Sequence, residues 1–199
     1  MAKVPLLKQI PPENDEHLRL VSPSFDHGDR LPRKYTAEGV GAMKHLSPPL
    51  EWYNVPEGTQ SLALVVQDVD APDPAGPIVP WTHWVVVNIP PSVKRLPEGF
   101  SGKEEEMGKG YAQIQEGYND YKVPGWRGPK PPSHGHRFQF KLYALDDMVH
   151  LGNKVCMLQK LFDIISRRFI KKIRKNEITK RSIAVTISHC FSNARIGLI

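Results

Sequence analysis

The sequence predicts a mainly β fold, in which antiparallel strands form the core and a few helices lie at the periphery. Two apolar runs, Leu62–Val66 and Trp84–Ile89, are rich in β-branched residues and are bounded by turn residues, which is typical of buried strands. Phe138–Leu145 alternates with a period of two, as a half-buried strand does. The 19 prolines disfavour an all-helical fold, because a proline inside a helix breaks it.

Two shorter strands are predicted before these. Leu18–Val21 is a short candidate strand, and Leu50 and Trp52 stand at alternating positions of a second one that neighbouring prolines interrupt. Residues 35–46 and 90–136 have weak periodicity and several glycines or prolines, so we expect loops there. A loop as long as the second is commonly functional in a compact domain.

The C-terminal part of the chain changes character. Cys156–Ile173 has helical spacing of its apolar residues and predicts an amphipathic helix, whereas Ile183–Ile187 has strand propensity but no assigned partner. We therefore expect three regions: an irregular arm at residues 1–17, a β domain at residues 18–155, and a divergent, basic, helical segment at residues 156–199.

Composition indicates an ordinary globular protein. The chain has 199 residues, 40% of them hydrophobic and 24% charged, which suits one domain with a full core. No apolar run is long enough for a membrane helix, and the first residues, MAKVPLLKQIPPENDE, lack the apolar centre of a signal peptide. Cys156 and Cys190 are too few for a disulfide framework, so we expect a cytoplasmic location.

The positive charge is concentrated in one segment. Residues 166–181 contain eight Lys or Arg and one acid, a local balance of +7 that exceeds the +6 of the whole chain, so the remainder is close to neutral. A basic amphipathic helix of this kind can lie on an anionic membrane surface, or it can be a solvated face. The nearly neutral body argues against nucleic acid as a partner.

Polar side chains stand at the ends of the two core strands. Asp68 and Asp70 follow the first apolar run, and Trp81 and His83 precede the second. Burying two carboxylates without partners is costly, so we expect both to face a cleft. The alternative for either Asp is that it caps a turn by accepting backbone N–H groups.

A second polar cluster, PGWRGPKPPSHGHRF, precedes the Phe138–Leu145 strand. It places His136 and Arg137 after Pro131 and Pro132, with Trp126 nearby as a candidate wall. If these strand ends adjoin, two imidazoles and two carboxylates converge on one pocket that suits a small anion. A metal site, a hydrolase using the same His/Asp cluster, and purely structural histidines are the alternatives.

Four ordered blocks resemble those of the phosphatidylethanolamine-binding protein family: SPPLEW, PEGTQSLALVVQDVDAP, WTHWVVVNIP and GPKPPSHGHRFQFKLYALD. The resemblance covers residues 18–155 and fits the bacterial-type branch that is also found in plants, the Raf kinase inhibitor-like proteins. It implies an antiparallel β-sandwich with a pocket for a phosphate-like anion or a phospholipid headgroup, with no enzymatic activity and no cofactor. It also implies regulation of partners such as kinases, proteases or other signalling proteins.

The resemblance implies site residues one by one. The family's D-P-D-A-P motif falls on residues 68–72, its pocket histidines on His83 and His136, and its G-x-H-R on residues that include Arg137. The two imidazoles would donate to the anion, and Asp70, with Asp68 as the less certain second, would hold them in orientation. Trp81, Pro131 and Pro132 would shape the opening.

The sequence also departs from the family. Val69 replaces the first proline of the motif, Thr82 stands where many relatives have a second histidine, and Phe138 replaces a common tyrosine and so removes a hydroxyl from the pocket rim. From about Val155 onward no family residues are recognisable. We expect a non-enzymatic binding protein, with a hydrolase or membrane association through residues 166–181 as the alternatives.

Overall fold

The computed structural model describes residues 17–39, 45–103, 106–131 and 135–149, together with the backbone of residues 184–192. These residues form one turn of 3₁₀ helix at Arg33–Tyr35 and eight strands. The strands are β1 Arg19–Val21, β2 Leu50–Tyr53, β3 Ser61–Asp68, β4 Trp81–Ile89, β5 Arg95–Leu96, β6 Gln115–Glu116, β7 His136–Leu145 and β8 Ala184–Ser192.

The strands form two antiparallel sheets. The smaller sheet has the order β1-β2-β5, and the larger one has the order β6-β4-β3-β7-β8. In the larger sheet, Asp68 at the end of β3 lies opposite Trp81 on one side and opposite Phe138 on the other. The end of β3 is therefore flanked by the beginnings of β4 and β7.

Strand β3 is buried along its whole length because both of its faces are covered. Successive side chains of a strand point to opposite faces, so its residues contribute alternately to two apolar clusters. The larger cluster joins the two sheets and includes Leu64, Trp84 and Phe140 from the larger sheet and Leu50 and Trp52 from the smaller one. The second cluster lies on the opposite face of the larger sheet and is formed by Ala63, Val65, Val85, Val87, Tyr143, Leu145 and Val149.

The predicted mainly β, antiparallel fold is confirmed. Strands occur at all five positions where the sequence predicts them before residue 150, although β4 and β7 begin earlier than expected, at Trp81 and His136. Residues 90–131 are largely irregular and contain only the short strands β5 and β6 among their described residues. Phe100, Ile114 and Trp126 attach this segment to the larger core cluster.

The C-terminal predictions have different outcomes. The helix expected at 156–173, and with it the basic surface at 166–181, lies outside the described residues. The strand propensity at 183–187 is realised in β8, which pairs with β7 in antiparallel register. Part of the segment predicted as a divergent tail thus adds a strand to the larger sheet. Over the described residues, no helix combines the length and the apolar character needed to cross a membrane.

Candidate ligand-binding site

A cavity of about 330 Å³ opens at the end of β3, beneath the loop that connects β3 to β4. Its volume falls within the range of small-molecule pockets. The lining comes from four separate stretches of the chain and consists of Asp68, Ala71, Pro72, Ile78, Val79, Trp81, His83, Tyr121, Lys130, Pro131 and His136.

The antiparallel register explains why these residues meet. β4 and β7 both pair with β3 and run opposite to it, so Trp81 and His136, which begin those strands, lie beside Asp68, which ends β3. The sequence-based expectation that these strand ends adjoin therefore agrees with the sheet topology. Of the predicted site residues, Asp68, Trp81, His83, Pro131 and His136 share the cavity. Pro132 lies outside the described residues.

Asp68 and His136 form a buried pair in the cavity wall. Oδ2 of Asp68 lies 2.6 Å from Nδ1 of His136, and both side chains are almost completely buried. An ionised carboxylate can only accept, so Nδ1 is the protonated nitrogen and the ring orientation is fixed. Oδ1 of Asp68 accepts the N–H of Asp70 at 3.0 Å. Asp68 therefore caps the turn after β3 and also faces the cavity, where it holds His136, so both alternatives that the sequence left open are realised.

Asp70 has a different partner. Its carboxylate accepts two side-chain hydrogen bonds from Arg137, Nε at 2.8 Å and Nη2 at 2.7 Å, and also the backbone N–H of Arg137 at 2.7 Å. The hydrogen bonds from Arg137 lower the pKa of the Asp70 carboxyl. Neither Asp70 nor Arg137 lines the cavity. The prediction that Asp70 orients a histidine is therefore wrong, because Asp68 has that role and Asp70 pairs with the guanidinium.

His83 sits at an irregularity in the ladder between β3 and β4. Val66 pairs with Trp84 and Gln67 with Thr82, so His83 is the extra residue of a β-bulge. Its carbonyl accepts the N–H of Arg127 at 3.0 Å, and its Nδ1 lies 2.7 Å from the carbonyl of Arg127. These two contacts fix the segment around Arg127 against β4.

The environment of His83 makes it a hydrogen-bond acceptor toward the cavity. A carbonyl cannot donate, so Nδ1 carries the proton and Nε2 has the lone pair in the neutral ring. Burial lowers the pKa of His83, because desolvation disfavours the charged form. The ring is therefore neutral at pH 7 and its Nε2 accepts rather than donates, while the contact of His83 with an anion stays a prediction. Its Nε2 suits the proton of a hydrogen phosphate or of an ammonium group.

Aromatic side chains form one wall. The rings of Trp81 and Tyr121 meet edge to face with centroids 5.5 Å apart, and Tyr121 also contacts His83 at 5.5 Å. Trp126, expected as a wall, does not line the cavity but is buried behind His83, 6.4 Å from its ring. Phe138 is also buried against His83, at 5.4 Å. Tyr121 thus supplies a phenol to the cavity, whereas Phe138, expected at the rim, does not line it.

Sequence reasoning missed Tyr121 and Lys130. Tyr121 belongs to a turn organised by Asn119, whose side chain accepts the N–H of Tyr121 at 2.9 Å and donates to the carbonyl of Gly125 at 2.9 Å. Asp120 fastens this turn to β4 by accepting the N–H of Thr82 at 2.7 Å. The Asn-Asp pair signals a turn, but a turn signal does not indicate which strand the turn packs against.

The cavity lining limits the chemistry that this site can perform. The described residues contain no group of three or more His, Cys, Asp or Glu arranged to hold a metal ion. Among the described residues, the lining includes no Ser, Thr or Cys that could act as a nucleophile with His136 as its base. The donors and acceptors present are those of a binding site for a small polar group.

The chain is similar to proteins of one family. The model of the family described as phosphatidylethanolamine-binding protein matches residues 21–188. The UPF0098 protein of Methanothermobacter thermautotrophicus is 40% identical over 134 residues, which span 67% of this chain and 80% of that protein. The UPF0098 protein YbhB of Escherichia coli is 37% identical over 131 residues, which span 65% of this chain and 78% of that protein.

Solved structures show the same likeness. The phosphatidylethanolamine-binding protein homolog CT736 of Chlamydia trachomatis superimposes with a TM-score of 0.62 at 31% identity, covering 75% of this chain and 88% of that one. Escherichia coli YbcL, described as a member of the mammalian family, superimposes with a TM-score of 0.58 at 28% identity, covering 86% of this chain and 98% of that one. These relatives are bacterial and archaeal, and the expected link to plant proteins stays a prediction.

Proposed function

The chain belongs to the phosphatidylethanolamine-binding protein family, and from that premise we propose that its cavity binds a phosphorylated small group without chemical turnover. The chemistry in question is a phosphate that carries a proton donor, as hydrogen phosphate and ethanolamine phosphate do. The ligand is either a lipid headgroup or a free phosphate compound. The buried pair of Asp68 and His136 in the cavity wall is the observation that carries the proposal.

The cavity offers both donors and acceptors. Lys130 is exposed at its edge and has no ion-pair partner among the described residues, so it provides a cation for phosphate oxygens. The phenol of Tyr121 is the other lining group that donates as it stands. His136 already gives its Nδ1 proton to Asp68, so it donates to a ligand from Nε2 only as the imidazolium and accepts there as the neutral ring. Asp68 and the neutral ring of His83 accept, so they favour a ligand that also brings a proton. A bare dianion such as sulfate lacks that proton and suits the site less well.

Binding without turnover agrees with a lining that has no Ser, Thr or Cys among its described residues, and we favour it over the hydrolase alternative. The proposal also includes regulation of a partner protein, of the kinase- or protease-inhibitor type that the family resemblance implies. The β domain at residues 18–155 would carry the cavity. Residues 166–181 would contribute any attraction to an anionic membrane.

Calorimetric titration tests this function. We expect the wild-type chain to bind O-phosphoethanolamine and inorganic phosphate more tightly than sulfate, and His136→Gln to bind the first two about tenfold or more weakly, since a charge-assisted hydrogen bond is lost. Short-chain phosphatidylethanolamine below its micelle concentration distinguishes a lipid headgroup from a free phosphate. Equal binding by wild type and His136→Gln would contradict the assignment of the cavity.

A further inference from the structure

We propose that the mouth of the cavity docks on a lipid bilayer through an apolar rim formed by Ile78, Val79, Trp81 and Tyr121. The docked protein would take its headgroup directly from the membrane, a step that rests on the proposed function. The docking itself does not depend on the cavity being filled. Docking would account for the solvent exposure of these four side chains, which neither the fold nor the binding of a phosphate explains.

The rim exposes an unusual amount of apolar surface. Ile78 is 78% exposed and Val79 66%, while Trp81 and Tyr121 are 41% and 44% exposed. All four line the same cavity, so they form one patch around its mouth. Single exposed apolar side chains are ordinary, but a contiguous patch marks an interaction surface.

The loop that carries Ile78 and Val79 is built to present them. Four of the ten residues in 71–80 are prolines, so little chain entropy is lost when the loop is held in place. The N–H of Ile78 donates to the carbonyl of Ala71 at 2.9 Å and closes the loop at its base. Asp73 accepts two further N–H groups, that of Ala75 at 2.8 Å by its side chain and that of Gly76 at 3.0 Å by its carbonyl.

This use of the backbone donors favours a bilayer over a protein as the partner. Prolines have no N–H, and three of the other loop amides already donate within the loop, so few donors would be stranded in a low-dielectric phase. A protein partner would offer hydrogen-bond acceptors for which this loop has few free N–H donors. A loop that enters a lipid surface should have few N–H donors without a partner, and this loop has few.

The remaining rim residues suit the boundary between lipid and water. Tryptophan and tyrosine concentrate there because their rings are apolar at one end and polar at the other. Lys130 at the cavity edge and Lys122 next to Tyr121 are both exposed, and each adds attraction to anionic lipids. Trp81, Tyr121 and Lys130 line the cavity themselves, so a headgroup would be met beside them.

The tryptophans provide a direct test on the full chain. Trp52, Trp84 and Trp126 are buried in the core, so Trp81 is the tryptophan of the described residues that reaches the solvent. We expect vesicles of phosphatidylcholine and phosphatidylserine with brominated acyl chains to quench its fluorescence. In Trp81→Phe the quenching disappears. In the double variant Ile78→Ser/Val79→Ser, partitioning falls about tenfold or more, since two large apolar side chains no longer enter the lipid.

Tyr53→Ser is the matched control, because Tyr53 is another exposed aromatic residue but belongs to the smaller sheet. It should partition and quench as wild type does. Vesicle binding without quenching of Trp81, or binding that Ile78→Ser/Val79→Ser retains, would assign the contact to residues 166–181 and overturn the proposal. Absence of vesicle binding by the wild type would overturn it as well. Titration of wild type with soluble O-phosphoethanolamine tests the proposed function separately, since it needs no membrane.

Discussion

The carboxylate of Asp68 holds the imidazole of His136 at 2.6 Å across 68 positions of sequence. The contact exists because β3 and β7 pair in antiparallel register, with Asp68 opposite Phe138. The two carboxylates of the D-V-D segment therefore have different roles. Asp68 lines the cavity, whereas Asp70 lies outside it and pairs with Arg137. The first two predictions follow from this difference.

Asp68→Asn should weaken binding of O-phosphoethanolamine by about tenfold or more, because His136 loses a charged acceptor that fixes its ring. Asp70→Asn should change that affinity by less than about threefold, because its carboxylate faces Arg137 outside the cavity. Calorimetric titration of both variants measures the difference. A larger loss of affinity in Asp70→Asn than in Asp68→Asn would reverse the roles assigned to the two residues.

Arg137→Gln should lower the melting temperature at pH 7, because the Asp70 carboxylate loses its bidentate partner. The hydrogen bonds from Arg137 hold the pKa of Asp70 below its ordinary 3.8. The stabilisation is therefore complete above pH 3.8 and is lost as the pH falls through the lower, folded-state pKa. Thermal melts across this acidic range should show the wild type and Arg137→Gln converging. A difference in melting temperature that stays the same at every pH would show that ionisation of Asp70 is not its cause.

His83→Gln should remove part of the acid sensitivity of folding at mildly acidic pH. Burial lowers the pKa of His83 from 6.5, so below pH 6.5 the unfolded chain binds a proton that the folded chain does not. Wild-type stability therefore falls as the pH drops through this window, with a slope that corresponds to up to about one proton. Urea titrations of both proteins over this window measure that slope. Equal slopes in wild type and His83→Gln would contradict the neutral, buried ring.

Tyr121→Phe should lower the affinity for O-phosphoethanolamine by about threefold to tenfold, the net value of one hydrogen bond. The substitution keeps the ring that packs against Trp81 and His83. Tyr118→Phe is the control, because Tyr118 is exposed but does not line the cavity. Titration of both variants should separate them, and a loss of the same size in Tyr118→Phe would exclude a specific role for the Tyr121 hydroxyl.

Gly128→Ala should destabilise the protein by about 1–3 kcal/mol, the usual range for overpacking. A Cβ at this position would lie 2.5 Å from the carbonyl carbon of Thr36 and 2.6 Å from the backbone nitrogen of Ala37, neither of which can move alone. Gly76→Ala is the control, because a Cβ there meets nothing within 4 Å. Chemical denaturation measures both. Because Gly128 precedes Lys130 and Pro131, the same change should also displace one wall of the cavity.

The sequence by itself determined the mainly β fold and the positions of the strands that carry the site. Apolar runs and period-two alternation are local signals, and Leu62–Val66, Trp84–Ile89 and Phe138–Leu145 each lie within an observed strand. The same signals located the strand ends where Asp68, His83 and His136 stand. Antiparallel order then makes those ends neighbours, so most of the cavity could be anticipated.

Only the tertiary structure decided which groups pair and which state they adopt. Asp68 and Asp70 are two positions apart, yet the register of the sheet pairs Asp68 with His136 and Asp70 with Arg137. A bulge and the carbonyl of Arg127 turn His83 into an acceptor, and a turn anchored by Asn119 delivers Tyr121 to the cavity. Hydrogen bonding and burial depend on differences of a few tenths of an ångström in the distances between residues that are far apart in sequence. Residue patterns encode periodicity and chemical type, but they do not encode those distances.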